Sequence, residues 1–213
     1  MKNQRYVILA LLITTISACC KKEVQCPGLT DDARSYIPYN PNQIVKFANY
    51  NDTILFKFSN DFFDTEPMFW PEDCKLVSKS HSECMVSRTI TAQTNHAVYK
   101  DLTLSSSILE RRAALGGNTF QNFMIGMSVL NTSFVIRDRK PDFDPSRREF
   151  KNVVFYPEIS LNNRKFNDVY CNSSNPQVYG SFVNRIHSIY FNMKGVVGFS
   201  FATDSTVVYT LVN

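Results

Sequence analysis

Cysteine, histidine and acidic side chains come closest together between Cys74 and Cys84. His81 and Glu83 stand just before Cys84, and all four residues belong to types that bind zinc. A structural zinc site needs four ligands, usually with cysteines in C-x-x-C pairs, and a catalytic site needs three ligands plus water. That paired spacing is absent, so the sequence favours a disulfide between Cys74 and Cys84 over a metal site. We therefore predict no bound metal and no cofactor.

Two aspartates at alternate positions, Asp142 and Asp144, lie in the charged segment 138–149. Acids in this arrangement can begin a calcium loop, but such a loop needs more oxygen ligands and usually a glycine. The segment contains prolines and arginines and no glycine. We interpret it as a solvated loop.

Hydrolytic chemistry has no recognisable motif in the chain. A serine–histidine–acid triad would use one of the three histidines, yet no G-x-S-x-G segment is present. Alternation places His187 on the same strand face as Ile189 and Phe191. A glycosidase needs only two carboxylates, which Glu72 or Glu158 could supply, among others. Scattered acids occur on any surface, so whether the protein is an enzyme stays open, and the sequence favours a non-enzymatic module.

Four aromatic residues cluster in the segment DFFDTEPMFWPEDC, namely Phe62, Phe63, Phe69 and Trp70. The prolines and acids around them predict a loop, and aromatic residues on loops can bind sugars or partner proteins. An exposed Trp–Phe loop would also be a sticky patch. The sequence therefore favours a second interpretation, in which the cluster folds back over one end of the domain. Phe69 and Trp70 remain the candidate ligand platform.

The N-terminal leader has the features of an export signal. Lys2 and Arg5 precede an uncharged apolar run from Tyr6 to Ala18, which is too short for a permanent membrane helix. Its end, Ile16-Ser17-Ala18-Cys19, resembles the bacterial lipobox. This resemblance implies cleavage after Ala18 and acylation of Cys19. Several acyl chains on one residue anchor a protein firmly to a membrane.

Removing residues 1–18 leaves 195 of 213 residues and lowers the formal charge from +4 to +2. This size suits one domain with a sizeable core. So small a charge does not indicate a surface that binds nucleic acid. An exported chain enters an oxidising compartment, where cysteines favour disulfides. With Cys74 paired to Cys84, a disulfide between Cys26 and Cys171 follows by elimination, although Cys20 competes for either partner.

The elements that must position these residues are predicted to be strands. Residues 19–42 are rich in charge, proline and asparagine and predict a tether, whereas residues 43–213 predict a single β-rich domain. Ile54, Phe56 and Phe58 alternate with polar or outward residues, and a turn at Asn49–Asp52 predicts a hairpin with the preceding run QIVKFA.

Three runs at the C-terminus, RIHSIYFN, GVVGFSFA and TVVYTLV, are separated by short turns and predict a three-stranded antiparallel meander. One helix is predicted, from Ser105 to Leu115, with serines as N-cap and two glycines as a stop. Many short strands and at most one short helix predict an all-β fold, an antiparallel barrel or sandwich.

Two further patterns resemble those of uncharacterised Bacteroidetes-type envelope lipoproteins. These carry a Y-x-P-Y-x-x-x-Q-x-x-x-F-x-N beginning and a Y-Y/F-x-x-x-G-hydrophobic-x-F ending. The matching residues are Tyr36, Pro38, Tyr39, Gln43, Phe47 and Asn49 for the first, and Tyr190, Phe191, Gly195 and Phe199 for the second. The resemblance implies a fold and a habitat and carries no catalytic residue.

The sequence thus leads to one main functional hypothesis. We expect a lipid-anchored protein of the bacterial cell envelope, on the outer membrane with the membrane face left open. Its domain would be a non-enzymatic binding or structural module with a protein or glycan partner and no nucleic acid. The alternative is a glycan-acting hydrolase of the envelope or cell surface.

Overall fold

The computed structural model describes residues 26–70, 83–113, 119–143, 152–174 and 185–212. In this part of the chain, no helix is both long and apolar enough to cross a bilayer. In chain order the elements are α1 (Asp31–Ser35), β1 (Ile44–Ala48), β2 (Thr53–Phe58), β3 (Phe63–Asp64), β4 (Met68–Trp70), β5 (Glu83–Thr94), β6 (Thr103–Ala113), β7 (Thr119–Met127), β8 (Leu130–Arg137), β9 (Lys140–Asp142), β10 (Val153–Leu161), β11 (Arg164–Ser173), β12 (Ile186–Asn192), β13 (Gly195–Phe201) and β14 (Asp204–Val212).

The strands form one antiparallel sheet that curls into a half-barrel. Among the described residues, twelve strands follow the order β10-β11-β12-β13-β14-β1-β2-β5-β6-β7-β8-β9, while β3 and β4 pair with β5 off this path. The curl brings β12 into contact with β7 and β8 across the interior. The predicted all-β antiparallel class is confirmed, and its form is this curled half-barrel.

Alternating apolar residues build the interior, as the sequence predicts. Ile54, Phe56 and Phe58 on β2 are buried, and β1 pairs with β2 as an antiparallel hairpin. Phe47 meets Phe199 of β13 edge-on, with ring centroids 5.2 Å apart. The predicted C-terminal meander is also confirmed, because β12 pairs with β13 and β13 with β14. The hairpin and the meander therefore share one aromatic core.

The predicted helix at Ser105–Leu115 is wrong, because residues 105–113 of this segment belong to β6. Period two is present, with Leu104, Ser106, Ile108 and Glu110 pointing inward and buried. Two of these four inward residues are polar, which hides the alternation from a pattern based on hydrophobicity. The short helix α1 lies instead within the predicted tether, where the side chain of Thr30 caps it by accepting from the N–H of Ala33.

The half-barrel has two ends that differ in what lies across them. We call the end where β1 begins, β8 turns into β9 and β12 turns into β13 the proximal end. The distal end is where β1 turns into β2, β5 leads to β6 and β13 turns into β14. The chain from Cys26 to Gln43 leads directly into β1 and therefore reaches the proximal end.

Residues 26–42 of the predicted tether pack against the half-barrel. Ala33 and Tyr39 are buried in the main core. The N–H of Thr30 donates to Oε2 of Glu110 on β6 at 2.9 Å, and Asp32 faces Arg139 beyond β8, with nitrogen and oxygen 3.9 Å apart. The segment thus crosses the proximal end from β6 towards the turn between β8 and β9.

The β10–β11 hairpin folds back over the outer face of the sheet. Its ladder includes every pair except that of Pro157 with Asp168. Proline has no N–H to donate, and Asp168 has a φ of 54°, so the hairpin bends at this point. Beyond the bend, Leu161 and Val169 form a second, smaller core with Val197 of β13. The hairpin tip is therefore held in place.

The predicted disulfide pairing is wrong. Cys84 bonds to Cys26, with Cα atoms 5.4 Å apart, and Cys171 is a free, buried thiol; Cys74 lies outside the described residues. The contact between Thr30 and Glu110 brings the N-terminal segment alongside β6 next to Cys84. This tertiary contact places Cys26 within bonding distance, which closeness in sequence could not reveal.

Candidate functional site

A groove of about 1270 Å³ opens at the proximal end of the half-barrel. Three turns contribute to it, which join β8 to β9, β10 to β11 and β12 to β13, and the start of β1 supplies Ile44. Because these turns are far apart in sequence, only the curl of the sheet and the folded-back hairpin bring them together. The groove is therefore a property of the tertiary fold.

Two of the three turns are two-residue hairpin loops with left-handed backbone. Asp138 and Arg139 have φ values of 51° and 60°, and Asn162 and Asn163 have 46° and 63°. Positive φ at both central residues is the signature of a type I′ turn, whose twist matches that of the flanking strands. Tight turns of this kind hold their neighbouring side chains in defined positions. They place basic residues at the edge of the groove.

Positive charge dominates the groove. Five cations line it, namely Arg139, Lys140, Arg164, Lys165 and Lys194, whereas Asp168 is the one acidic residue among its described lining residues. Such an excess attracts anions and concentrates them locally, since fields of like-charged groups in a cleft add.

The five cations differ in the bonds that they make to neighbouring residues. Lys165 pairs with Glu158 at 2.9 Å, and Arg164 donates to the backbone carbonyl of Leu211 at 3.0 Å. Lys140 and Lys194 are exposed and make no ion pair with any residue that the structure describes. These two lysines are the cations best placed to meet an anionic ligand.

The floor of the groove is apolar. Phe166, Tyr170 and Met193 are half-buried there, and Phe155 of β10 is 47% exposed. Phe155 and Tyr170 pack at 5.0 Å between ring centroids. An exposed aromatic ring beside cations offers a surface for the apolar part of a ligand.

One wall of the groove is rigid, because Tyr39 locks the start of β13. Its hydroxyl accepts from the N–H of Val196 at 2.7 Å, and burial raises its pKa, so it stays neutral. Gly195 has a φ of +113°, and a Cβ there would lie 2.6 Å from the hydroxyl of Tyr39. Tyr39 of the first lipoprotein-like sequence pattern and Gly195 of the second thus meet in this wall, where their role is structural.

The candidate platform Phe69 and Trp70 lies away from the groove in the sheet order. Both residues belong to β4, which pairs with β5, so the predicted loop is in part a strand. Within the same cluster, Phe63 is 70% exposed, and the guanidinium of Arg88 lies 4.6 Å from the ring centre of Phe62. The described contacts do not join this cluster to the groove.

A second polar cluster closes the distal end. The hydroxyl of Tyr209 donates to Oδ2 of Asp52 at 2.9 Å, and Nε2 of His96 lies 3.2 Å from Oδ1. The N–H of Val98 donates to Nδ1 of His96 at 3.3 Å, which assigns the proton of the neutral ring to Nε2. Both ring nitrogens of His96 are therefore engaged within the cluster.

The electrostatics of Asp52 fit this structural role. Partial burial raises its pKa, but hydrogen bonds from Tyr209, from the N–H of Thr53 and from His96 outweigh that effect and leave the pKa below its usual value. The carboxylate is thus ionised and held by donors on three sides. We assign the cluster to stability.

The second histidine-containing group among the described residues is a row of hydrogen-bonded side chains on β11 and β12. The Sγ of Cys171 lies 3.7 Å from Oγ of Ser173, which lies 3.0 Å from Oγ of Ser188, and that oxygen lies 2.8 Å from Nδ1 of His187. Burial raises the pKa of the Cys171 thiol and raises that of Tyr190 to about 12. A protonated thiol is a poor nucleophile, so this row holds two strands together.

The predicted placement of His187 beside Ile189 and Phe191 is wrong. A register shift between Ile186 and Ser188 marks a bulge, and Ile186, Ile189 and Phe191 are the residues that share the core. A bulge inserts one residue and shifts the alternation. His187 is that residue.

The metal candidates are not assembled in the described part of the chain, where no group of three potential ligand residues comes together. Cys84 is oxidised in its disulfide and offers no thiolate. Asp142 pairs with Arg137 at 3.1 Å. His81, Asp144 and the predicted lipid anchor Cys19 lie outside the described residues.

The groove itself was missed by sequence reasoning. Residues 138–143 belong to the charged segment that predicts a solvated loop, but the structure shows β9 at Lys140–Asp142, pairing with β8. The available signal was a cation in or directly after each turn, as at Lys140, Arg164 and Lys194. Comparison of the chain with protein-family models, with curated proteins and with solved structures finds no match.

Proposed function

We propose that this chain is a lipid-anchored protein of the bacterial cell envelope whose β domain binds an anionic ligand in the proximal groove, without catalysing a reaction on it. Acylated Cys19 is the anchor, and the outer membrane is the location. The sequence predicts a protein or glycan partner, and the groove is where we place the binding of the anionic ligand.

One observation carries this proposal. Five cations face a single carboxylate among the described groove residues, and two of them, Lys140 and Lys194, have no ion pair there. Charges of one sign repel one another and add no stability to a surface, and together they attract a ligand of the opposite charge.

The alternative, a glycan-acting hydrolase, has less support from the geometry. Retaining and inverting glycosidases use two carboxyl groups on either side of the scissile bond, and Asp168 is alone in the described lining of the groove. His96 and His187 lie outside this lining and are bonded within other clusters. A binding role accounts for the charge and needs no further residue.

A photoreactive side chain in the groove tests the proposal in intact envelopes. We would place p-benzoylphenylalanine at position 155 of the full-length protein, irradiate the cells and identify the adducts by mass spectrometry. We expect one dominant adduct, which disappears when Lys140→Glu and Lys194→Glu are combined. The matched control is Lys57→Glu with Lys100→Glu, two exposed lysines outside the groove, which should leave the adduct unchanged.

The same material tests the anchor and the alternative function. Mass spectrometry of the mature N-terminus should find Cys19 acylated, and an unmodified cysteine there would refute the lipoprotein assignment. Absence of any adduct at position 155 would refute the binding role. Release of reducing ends from envelope polysaccharide that is lost in Asp168→Asn would favour the hydrolase instead.

A further inference from the structure

The groove lies at the end of the half-barrel that receives the N-terminal segment. The disulfide from Cys26 to Cys84 attaches this segment to β5, and Nη2 of Arg112 donates to the carbonyl of Gly28 at 3.2 Å. The bonds between Thr30 and Glu110 continue the attachment. Residues 26–30 are thus held at the proximal end and cannot reach the distal end.

A short chain separates this attachment from the anchor. Cys26 follows Cys19 by seven positions in the sequence, and an extended chain spans at most about 3.5 Å per residue, or about 25 Å in all. When Cys19 is acylated, the proximal end of the domain therefore stays close to the bilayer. This step rests on the lipid anchor in the proposed function.

The lining of the groove matches an amphiphile better than a sugar chain. Its floor is formed by apolar side chains such as Phe155, Phe166 and Met193, and its cations stand at the turns around that floor. A glycan needs many donors and acceptors for its hydroxyls. Two of the amide side chains in the lining are already engaged: Oε1 of Gln43 accepts from the N–H of Asn40 at 2.8 Å, and Oδ1 of Asn192 accepts from that of Lys194, also at 2.8 Å.

We propose that the groove binds an anionic phospholipid of the membrane to which the protein is anchored. Lys140 and Lys194 meet the phosphate, and the apolar floor with Phe155 takes the glycerol and the start of the acyl chains. Basic residues held close to an anionic membrane surface are attracted to it over about a Debye length. The occupant is thus a lipid, in place of the predicted protein or glycan partner.

Photolabelling in defined membranes tests this inference with the full mature protein. The acylated protein, with p-benzoylphenylalanine at position 155, would be reconstituted into vesicles of phosphatidylcholine and phosphatidylglycerol at about three to one. We expect the phosphatidylglycerol adduct, divided by that lipid's share of the membrane, to exceed the phosphatidylcholine adduct divided by its own share at least about fivefold. Combining Lys140→Glu with Lys194→Glu should remove this enrichment. The photoreactive residue placed instead at position 50, where Tyr50 is 80% exposed at the distal end, should give no lipid adduct.

The outcomes separate this inference from the proposed function. Equal labelling of both lipids, or no lipid adduct at position 155, would overturn the binding of an anionic phospholipid. A protein or glycan adduct in intact envelopes would also overturn it while supporting the binding role of the groove. Circular dichroism of the charge-reversed protein should match that of the wild type, so that loss of labelling cannot be attributed to unfolding.

Discussion

The two ends of the half-barrel differ in whether their polar side chains are bonded to one another. At the distal end, Asp52 receives hydrogen bonds from Tyr209 and His96, and His96 also accepts from the backbone. At the proximal end, Lys140 and Lys194 point into a groove without an ion-pair partner among the described residues. One end is closed by its own side chains, and the other keeps its charges available.

This difference separates structural polar groups from candidate binding groups. A polar cluster whose members bond to one another stabilises the fold and leaves no atom for a ligand. Exposed cations of one sign repel each other and contribute little to stability. The proximal end combines both kinds, because Glu110 and the disulfide hold the N-terminal segment beside the open groove.

The largest expected effect comes from the disulfide at the proximal end. Replacing both Cys26 and Cys84 by alanine releases a cross-link over 58 residues and should lower the free energy of unfolding by about 4 kcal/mol. Urea denaturation measures this change, and reduction of the wild type should reproduce it. An unchanged midpoint would mean that the cross-link does not constrain the unfolded chain.

Glu110 should rank second. Its carboxylate is fully buried, pairs with Arg112 at 2.9 Å and accepts from Thr30, so Glu110→Ala should cost about 3 kcal/mol. Burial raises its pKa, but the bonds from Arg112 and Thr30 lower it below the usual value. Its contribution is therefore present at neutral pH and lost as the pH falls through that lowered pKa. Glu158→Ala, on the surface, should cost less than about 1 kcal/mol.

The distal cluster should give a smaller effect that depends on pH. Tyr209→Phe removes the bond to Asp52 and should lower the free energy of unfolding by about 1 kcal/mol at pH 7. Because the pKa of Asp52 is lowered, the cost should persist above the usual aspartate range and shrink as the pH falls through the lowered pKa. Thermal unfolding at a series of pH values checks this. Tyr50→Phe, at the same end but exposed, should have no effect at any pH.

The groove cations should contribute least to stability. Combining Lys140→Glu with Lys194→Glu should change the free energy of unfolding by less than about 0.5 kcal/mol, as should the control pair Lys57→Glu and Lys100→Glu. Urea denaturation of both variants makes the comparison. A loss of several kcal/mol in the first alone would show that the two lysines support the fold, and the contrast between the ends would disappear.

Most strands could be predicted from the sequence, because alternation is a local property. Ile54, Phe56 and Phe58 show it without interruption, and their hairpin is confirmed. Prediction from alternation failed on β6, where Ser106 and Glu110 occupy inward positions. It also failed at His187, where a bulge inserts a residue. Both failures have the same cause, since partners on other strands decide whether a polar or extra residue is accommodated there.

The candidate site was largely invisible in the sequence. The chain order shows Lys140, Arg164 and Lys194 in or directly after three separate turns, and nothing local relates one turn to another. Cys26 and Cys84 pair for a comparable reason, because the N-terminal segment lies beside β6 only in the folded chain.

By itself, the sequence determined the all-β class, the hairpin of β1 with β2 and the C-terminal meander, since each depends on residues that are neighbours along the chain. The tertiary structure alone decided the disulfide, the docking of residues 26–42 and the basic groove. These depend on how far the sheet curls and where the β10–β11 hairpin bends back, and both follow from packing between distant segments.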